Sequence, residues 1–248
     1  MERLRLDRAL ELRGLCPSRA RARDAILRGT VSVNGQKASK PNMMVAEADR
    51  VTLDDPAARY VSRAALKLVA GLDTGAVQVA GRICLDIGAS TGGFTQVLLE
   101  RGAAHIHAVD VGHGQFHDTL RADPAITLHE GLNARDLTPA QIPEPVGLIV
   151  SDVSFVSVTK VLAPALALAA PGADAVILIK PQFEVGRAFV GKGGIVTDTT
   201  AIGRAIAEVI AFMAENGFAH RLSIPSPIAG GDGNRETVAV FRAAGTPQ

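Results

Sequence analysis

The sequence of 248 residues predicts two folds in series: a small α+β module over residues 1–55, a linker over 56–60, and a doubly wound, mostly parallel α/β sheet over 61–248. Three observations predict this. In the second region apolar runs alternate with helical patterns, the mark of a parallel sheet covered on both faces. Its small and polar residues, "DIGAS", "VDVG", "SDVS" and "IKPQF", fall at the carboxyl ends of those runs, where ligands of such sheets bind. Charge also divides along the chain: residues 1–40 hold ten Lys and Arg against four Asp and Glu, and the rest hold 16 against 21. A basic module on a mildly acidic body implies an anionic partner met by one end of the molecule.

The first module reads element by element. In "RLRLDRALELRGL" the residues Leu6, Ala9, Leu10 and, beyond the helix stop at Gly14, Leu15 keep helical spacing. "SRARARDAILRG" predicts a second helix, capped by Ser18, ended by Gly29 and apolar at Ala22, Ala25 and Ile26. Arg19 and Arg23 are i,i+4 neighbours on another face, with Arg21 and Arg28 beside them. "TVSVNGQKA" predicts a hairpin with Asn34-Gly35 in a type I′ turn, and "DRVTL" the last strand. Candidate phosphate contacts are Arg5, Arg8, Arg19, Arg21, Arg23, Arg28, Lys37 and Lys40. No aromatic residues interleave with them, which argues against single-strand base stacking. The layout resembles the S4 RNA-binding domain, and that resemblance implies that the arginine helix and hairpin lie on structured RNA, held by shape and phosphate contacts.

In the second region the candidate strands are "RICLDIG", "HIHAVDVG", "AITLHEG", "GLIVSDVS", "DAVILIKP", "HRLSIPS" and "ETVAVFRA", with helical patterns at 62–72, 93–101, 157–169 and 199–216. Val161 to Ile179 is the most apolar stretch, but Pro164, Pro171, Gly172 and Asp174 break it, so it predicts no membrane span. The charged start, "MERLRLDRALELRG", is unlike a secretory signal. Cys16 and Cys84 have no CxxC spacing, so neither a disulfide framework nor a zinc site is expected, and a reducing cytoplasm fits. His113 and His117 stand four apart, but no third ligand accompanies them, and polar helix surface is expected there instead of a metal.

The Gly-rich turn in "CLDIGASTGGFTQ" admits a ligand close to the backbone. Its glycines, Gly88, Gly92 and Gly93, lack the G-x-G-x-x-G spacing that seats a dinucleotide pyrophosphate. Nor is there a second substrate domain for hydride chemistry, or a G-x-x-x-x-G-K-[ST] for ATP. The pattern Asp86-x-Gly88-x-x-x-Gly92 resembles motif I of the Rossmann-like class I methyltransferases. That resemblance implies S-adenosylmethionine (SAM) as cofactor, with the glycines admitting its amino-acid part and Asp86 helping to hold the ammonium. Asp110 ends the second strand, 22 residues after Gly88, where a carboxylate can accept both ribose hydroxyl protons.

The strand ending "SDVSF" lacks the (D/N/S)-P-P-(Y/F/W) turn of many nucleobase amine methyltransferases. A different set stands out: Lys67, Asp152, Lys180 and Glu236. Lys180 follows a run of apolar residues and precedes a proline at a strand end. The four match the Lys-Asp-Lys-Glu tetrad of FtsJ-like RNA 2′-O-methyltransferases, a resemblance over roughly residues 60–242. Such chemistry needs a base, because a ribose hydroxyl is a poor nucleophile. A free lysine, with a pKa of ~10.4, is mostly protonated at neutral pH. A second lysine and partial burial favour the neutral amine, and two carboxylates oppose it, so the proton belongs to the cluster.

Taken together, "YVSRAALKL", "LDIGASTGGFTQVLLERGA", "SDVSFVS", "KPQFEVGR", "VGKGGIV" and "GNRE" resemble the TlyA family nearly end to end. The resemblance implies 2′-O-methylation of cytidine in ribosomal RNA of the small subunit, the large subunit or both, with ribosomal RNA or subunits as partners. It also carries SAM-site roles to Gly88, Ala89, Ser90, Phe94 and Asp110, and adenine framing to the "NARD" stretch that begins with Asn133 and Ala134. His113 and Phe116 depart from the family's pattern beside the cofactor. Members are often labelled haemolysins, yet no span or long amphipathic segment suits a pore. A non-catalytic ribosome-assembly factor is the other alternative, and the intact tetrad argues against it. The long segment Pro181 to Val196, with its four glycines, is expected to act as a lid, mobile without RNA and ordered with it.

Overall fold

The computed structural model describes residues 3–245. The chain divides into two compact units between Arg59 and Tyr60.

In the first unit, β1 (Arg3–Arg5) leads into α1 (Leu6–Leu12), and α2 (Arg19–Leu27) follows. Ser18 caps α2 by accepting from the Arg21 amide, as its side-chain type predicts. β2 (Val31–Val33) and β3 (Gln36–Lys37) form the hairpin, with Asn34 and Gly35 both at positive φ as a type I′ turn requires. β5 (Val51–Leu53) pairs with β2 on its other side. A second pair, β1 with β4 (Met44–Ala46), was not foreseen: three residues are too few to show an alternation. Leu6, Leu10, Ala22, Ile26 and Val31 form the centre of this small core.

The second unit is a seven-stranded sheet in the order β11-β12-β10-β9-β6-β7-β8. Its strands are β6 (Ile83–Ile87), β7 (His105–Asp110), β8 (Ile126–Glu130), β9 (Val146–Ser151), β10 (Ala169–Ile179), β11 (Phe218–Pro225) and β12 (Thr237–Ala243). Only β12 runs antiparallel to its neighbours, β10 and β11. One face is covered by α3 (Ala65–Thr74) and α4 (Gly93–Glu100), through Leu68, Leu72, Phe94 and Leu98. The other is covered by α6 (Ala163–Leu166) and α8 (Thr199–Glu215), through Ala165, Leu166, Val209 and Met213. Two short helices, α5 (Asp118–Arg121) and α7 (Pro181–Glu184), lie in the connections. The helix expected over 157–169 is instead a 3-10 turn capped by Ser157 and the single turn of α6, and Ala169 already belongs to β10. Pro164 fits only the first turn of a helix and forces a fresh start there. His113 and His117 share no helix, because α5 begins at Asp118 and His117 caps it.

Strand order reverses between β6 and β9, and a doubly wound sheet opens its crevice at that point. At the far edge, His107 Nδ1 lies 3.3 Å from His129 Nε2, and its Nε2 lies 3.3 Å from Glu144 Oε2. Burial, ahead of the neighbouring charges, lowers both histidines below their ordinary value of 6.5. The unfolded chain therefore binds more protons than the fold does as the medium acidifies. Stability from the neutral pair is complete above the unfolded value and is lost as pH falls below it. The melting temperature is expected to drop between pH 7.5 and 5.5, and His107→Gln with His129→Gln to flatten that slope; an unchanged slope contradicts the assignment.

Candidate active site

The turn after β6 is built by close packing. Gly88 has φ 84°, and a Cβ there would lie 3.1 Å from the Val153 backbone nitrogen, so a side chain would push the turn off the end of β9. Gly92, at φ 94°, faces away from the crevice: a Cβ would meet Leu120 Cδ1 at 2.6 Å and the Phe116 ring at 3.0 Å. Phe116 is buried beneath the turn with Ala89, Ala108 and Leu120, which gives that departure from the family pattern a packing role. Gly92 thus seats the turn on this cluster and lines neither cavity described below.

Asp86 is fully buried. Thr95 Oγ1 donates to its Oδ2 at 2.6 Å, and Oδ1 has no partner. Burial, outweighing the Thr95 hydrogen bond, pushes its carboxyl up to about 7. Asp86 lines neither cavity, so it is not placed for the expected direct grip on an ammonium; it braces the turn against α4.

Two cavities meet at this turn. The larger, about 470 Å³, runs past Asp110, Asn133 and Ala134. The smaller, about 130 Å³, is lined by Ala89, Phe94 and Lys180. Gly88, Ser90, Asp152 and Ser154 belong to both walls. Asp110 is held rigidly: its Oδ2 accepts from the Ser90 amide and its Oδ1 from the Gly112 amide, each at 2.7 Å. Each oxygen keeps a second lone pair for a ligand hydroxyl. Asn133 accepts from the Arg135 amide and shapes the turn that presents Ala134 to the cavity.

The tetrad resolves into two ion pairs. Lys180 Nζ lies 2.6 Å from Asp152 Oδ1 and donates to Ser154 Oγ at 2.7 Å and to the Asp152 carbonyl at 3.3 Å. Lys67, on α3, is paired with Glu236, and both side chains are buried. Sheet register brings the pairs near each other: Ile179 lies opposite Thr237, so Lys180 and Glu236 stand one step past that rung. Three side chains at this end of the sheet, two of them polar, were missed by sequence reasoning. Ser154 supplies a contact to Lys180, and Asn234 is buried two residues before Glu236. Phe155 is 91% exposed at positive φ (66°) on the rim of the larger cavity, its ring 5.4 Å from that of Phe183. An aromatic side chain in that backbone region is rare and needs a local reason. The "SDVSF" stretch carried the signal for the first and last, but only as residue types at a strand end.

In the first unit the predicted cations divide. Arg8, Arg23, Lys37 and Lys40 are exposed, with no ion pair among the described residues. Arg5 and Arg19, about half exposed, both hydrogen-bond the buried Asp7; the Arg5 bond in particular holds its carboxyl below the ordinary value. Arg21 reaches the Ala57 carbonyl. Arg28 is only 16% exposed and clasps Asp55 with both terminal nitrogens, at 2.6 and 2.7 Å, while also bonding Asp24. Its expected phosphate contact is therefore corrected: this guanidinium neutralises an inward carboxylate and is spent within the unit.

Comparison with known proteins adds to this geometry. The FtsJ-like methyltransferase family model matches residues 60–243, and the S4 domain model matches residues 4–51. The Mycobacterium tuberculosis H37Rv protein named 16S/23S rRNA (cytidine-2′-O)-methyltransferase TlyA is 46% identical, over 94% of this chain and 88% of that one. The chain belongs to the TlyA family of FtsJ-like methyltransferases. Another relative, from Brachyspira hyodysenteriae, is named Hemolysin A and is 39% identical over 96% of this chain and 99% of its own. A solved structure from Streptococcus thermophilus, also described as a hemolysin, covers 100% of this chain and 91% of its own, at 35% identity and a TM-score of 0.76. Haemolysin is a label in this group. Among the described residues no helix is long and apolar enough to cross a membrane, and no cluster of three His, Cys, Asp or Glu side chains is arranged to hold a metal ion.

Proposed function

We propose that this chain transfers a methyl group from SAM to the 2′-hydroxyl of a cytidine in ribosomal RNA. One observation carries the reading: Lys180, held by Asp152 and Ser154, lines the small cavity walled by the Gly-rich turn. The named activity of the 46% identical relative supports the substrate class. The cavities fit the cofactor: Asp110 is ready for ribose hydroxyls, Asn133 and Ala134 for the base, and Gly88, Ala89, Ser90 and Phe94 for the amino-acid end. Bound there, SAM supplies an electrophilic methyl on its sulfonium.

The residues do the rest. The target hydroxyl must shed its proton as its oxygen attacks, and Lys180 is the group placed to take it. Asp152 and Ser154 hold the Lys180 Nζ at the small cavity, with the Lys67–Glu236 pair one rung away. General-base help is worth about 10²–10⁴-fold, and in-line alignment supplies much of the remainder. Phe155, exposed on the rim, offers a face to an unstacked base.

Labelled SAM incubated with ribosomal RNA and with subunits, followed by mapping of 2′-O-methyl sites, tests the reading. Methylation of one or a few cytidine riboses is expected; base methylation, or none, overturns it. Replacing Arg8, Arg19 and Arg23 with Gln should also weaken RNA binding. Each lost phosphate contact should flatten the log–log salt dependence by about 0.7–0.9, with SAM affinity unchanged. An unaltered slope would remove the module's arginines from the RNA interface.

A further inference from the structure

The segment between α7 and α8 is folded into a strap. It consists of two short 3-10 turns, Arg187–Phe189 and Lys192–Gly194, joined by local backbone bonds such as Gly191 N–H to the Ile195 carbonyl at 2.9 Å. Two contacts pin it. The strap starts from the C-cap of α7, where Val185 N–H bonds the Pro181 carbonyl at 3.0 Å, next in sequence to Lys180. At its middle, the Arg204 guanidinium of α8 lies 5.3 Å from the Phe189 ring centroid. At its end stands Asn234, only 1% exposed. Asn234 Oδ1 accepts from the Val196 amide at 2.9 Å, and Nδ2 donates to the Gly194 carbonyl at 2.8 Å.

Asn234 is itself built into the strand end that carries Glu236. Gly230 N–H bonds the Asn234 carbonyl at 2.9 Å, and the Asn234 amide bonds Asp232 Oδ1 at 3.1 Å. Asp232 in turn accepts from Gln182 at 2.9 Å, two residues after Lys180. The strap is thus tied at both ends to the segments holding the two ion pairs. Between its ties it presents Arg187 and Lys192, exposed and without an ion pair among the described residues. Exposed cations on a segment tied to the residues around Lys180 and Glu236, with no ion pair of their own among the described residues, suit a polyanion.

We infer that Asn234 is a latch, a positioning residue that holds this strap beside the tetrad, and that the strap is the second unit's own contact to the RNA backbone through Arg187 and Lys192. The inference rests on the proposed RNA methyl transfer. It gives the catalytic unit a phosphate contact separate from the arginine helix, one that registers RNA at the cavity.

Single-turnover methyl transfer to ribosomal RNA tests it, at several salt concentrations, with SAM affinity measured by calorimetry. The exposed double variant Arg187→Ala with Lys192→Ala should raise the RNA concentration for half-maximal rate about tenfold. It should also lower the salt slope by about 1.4–1.8, two phosphate contacts. Arg187→Lys with Lys192→Arg, which keeps both charges, should restore most of this. Asn234→Ala should shift the same half-maximal concentration, leave SAM affinity intact and speed amide exchange at Val196. Combined with the double variant it should add little, since the latch acts through the strap. An unchanged salt slope in the double variant, or full additivity with Asn234→Ala, overturns the inference. No methyl transfer by the unmodified protein would instead defeat the function on which it rests.

Discussion

Lys180→Arg is expected to transfer methyl groups at least ~10²-fold more slowly than the unmodified protein, with SAM and RNA affinities nearly intact. Lys180 Nζ is held by the Asp152 carboxylate, the Asp152 carbonyl and Ser154 Oγ. A guanidinium stays protonated and so cannot accept the proton, and its planar fork does not fit these three converging groups. Lys180→Ala should be comparably slow. A purely structural lysine makes the opposite forecast, because arginine would then preserve the pairing with Asp152. Single-turnover rates with parallel calorimetry separate the two, and near-normal turnover in Lys180→Arg defeats the proposed base. Asp110→Ala is the matched control: it should weaken SAM binding while leaving RNA binding nearly unchanged.

Glu236→Ala is expected to destabilise the protein by about 3–5 kcal/mol, the cost of stranding one member of a buried ion pair. Lys67 and Glu236 are 7% and 2% exposed at their side chains, so water does not replace the lost carboxylate. Adding Lys67→Met, which removes the stranded charge and fills its volume, should recover most of that stability. Methyl transfer should stay low in the double variant, since neither group is restored. Denaturant unfolding of the two variants checks the pair; a Glu236→Ala loss below about 1 kcal/mol would mean that the contact is effectively solvated.

How far the sequence reveals this molecule depends on the range of each interaction. Asn34-Gly35 and Ser18 announce a turn and a cap because their effects act within three residues. The apolar strands are legible for the same reason. Lys67, Asp152, Lys180 and Glu236 can be chosen as a set by type and position, but their division into two ion pairs rests on a rung of the sheet nearly sixty residues apart in sequence. Arg28 reads as one more surface cation, and only the fold brings Asp55 beside it. Phe155 looks like an ordinary hydrophobe until its backbone is seen to turn it out to solvent. Asn234 earns notice only through partners about forty residues earlier in the chain.

The antiparallel placing of β12 bears on the order in which the molecule becomes competent. Glu236 reaches the site only when that strand inserts between β10 and β11 in the correct register, since a slip of one residue turns alternate side chains to the opposite face. During synthesis the glycine turn, Asp110, Asp152 and Lys180 all emerge well before it. A nascent chain can therefore shape its nucleoside cavity while Lys67 still lacks its carboxylate partner. On the proposed mechanism, a chain in which β12 has not yet inserted lacks Glu236 at the site and should transfer methyl groups slowly whatever RNA is nearby.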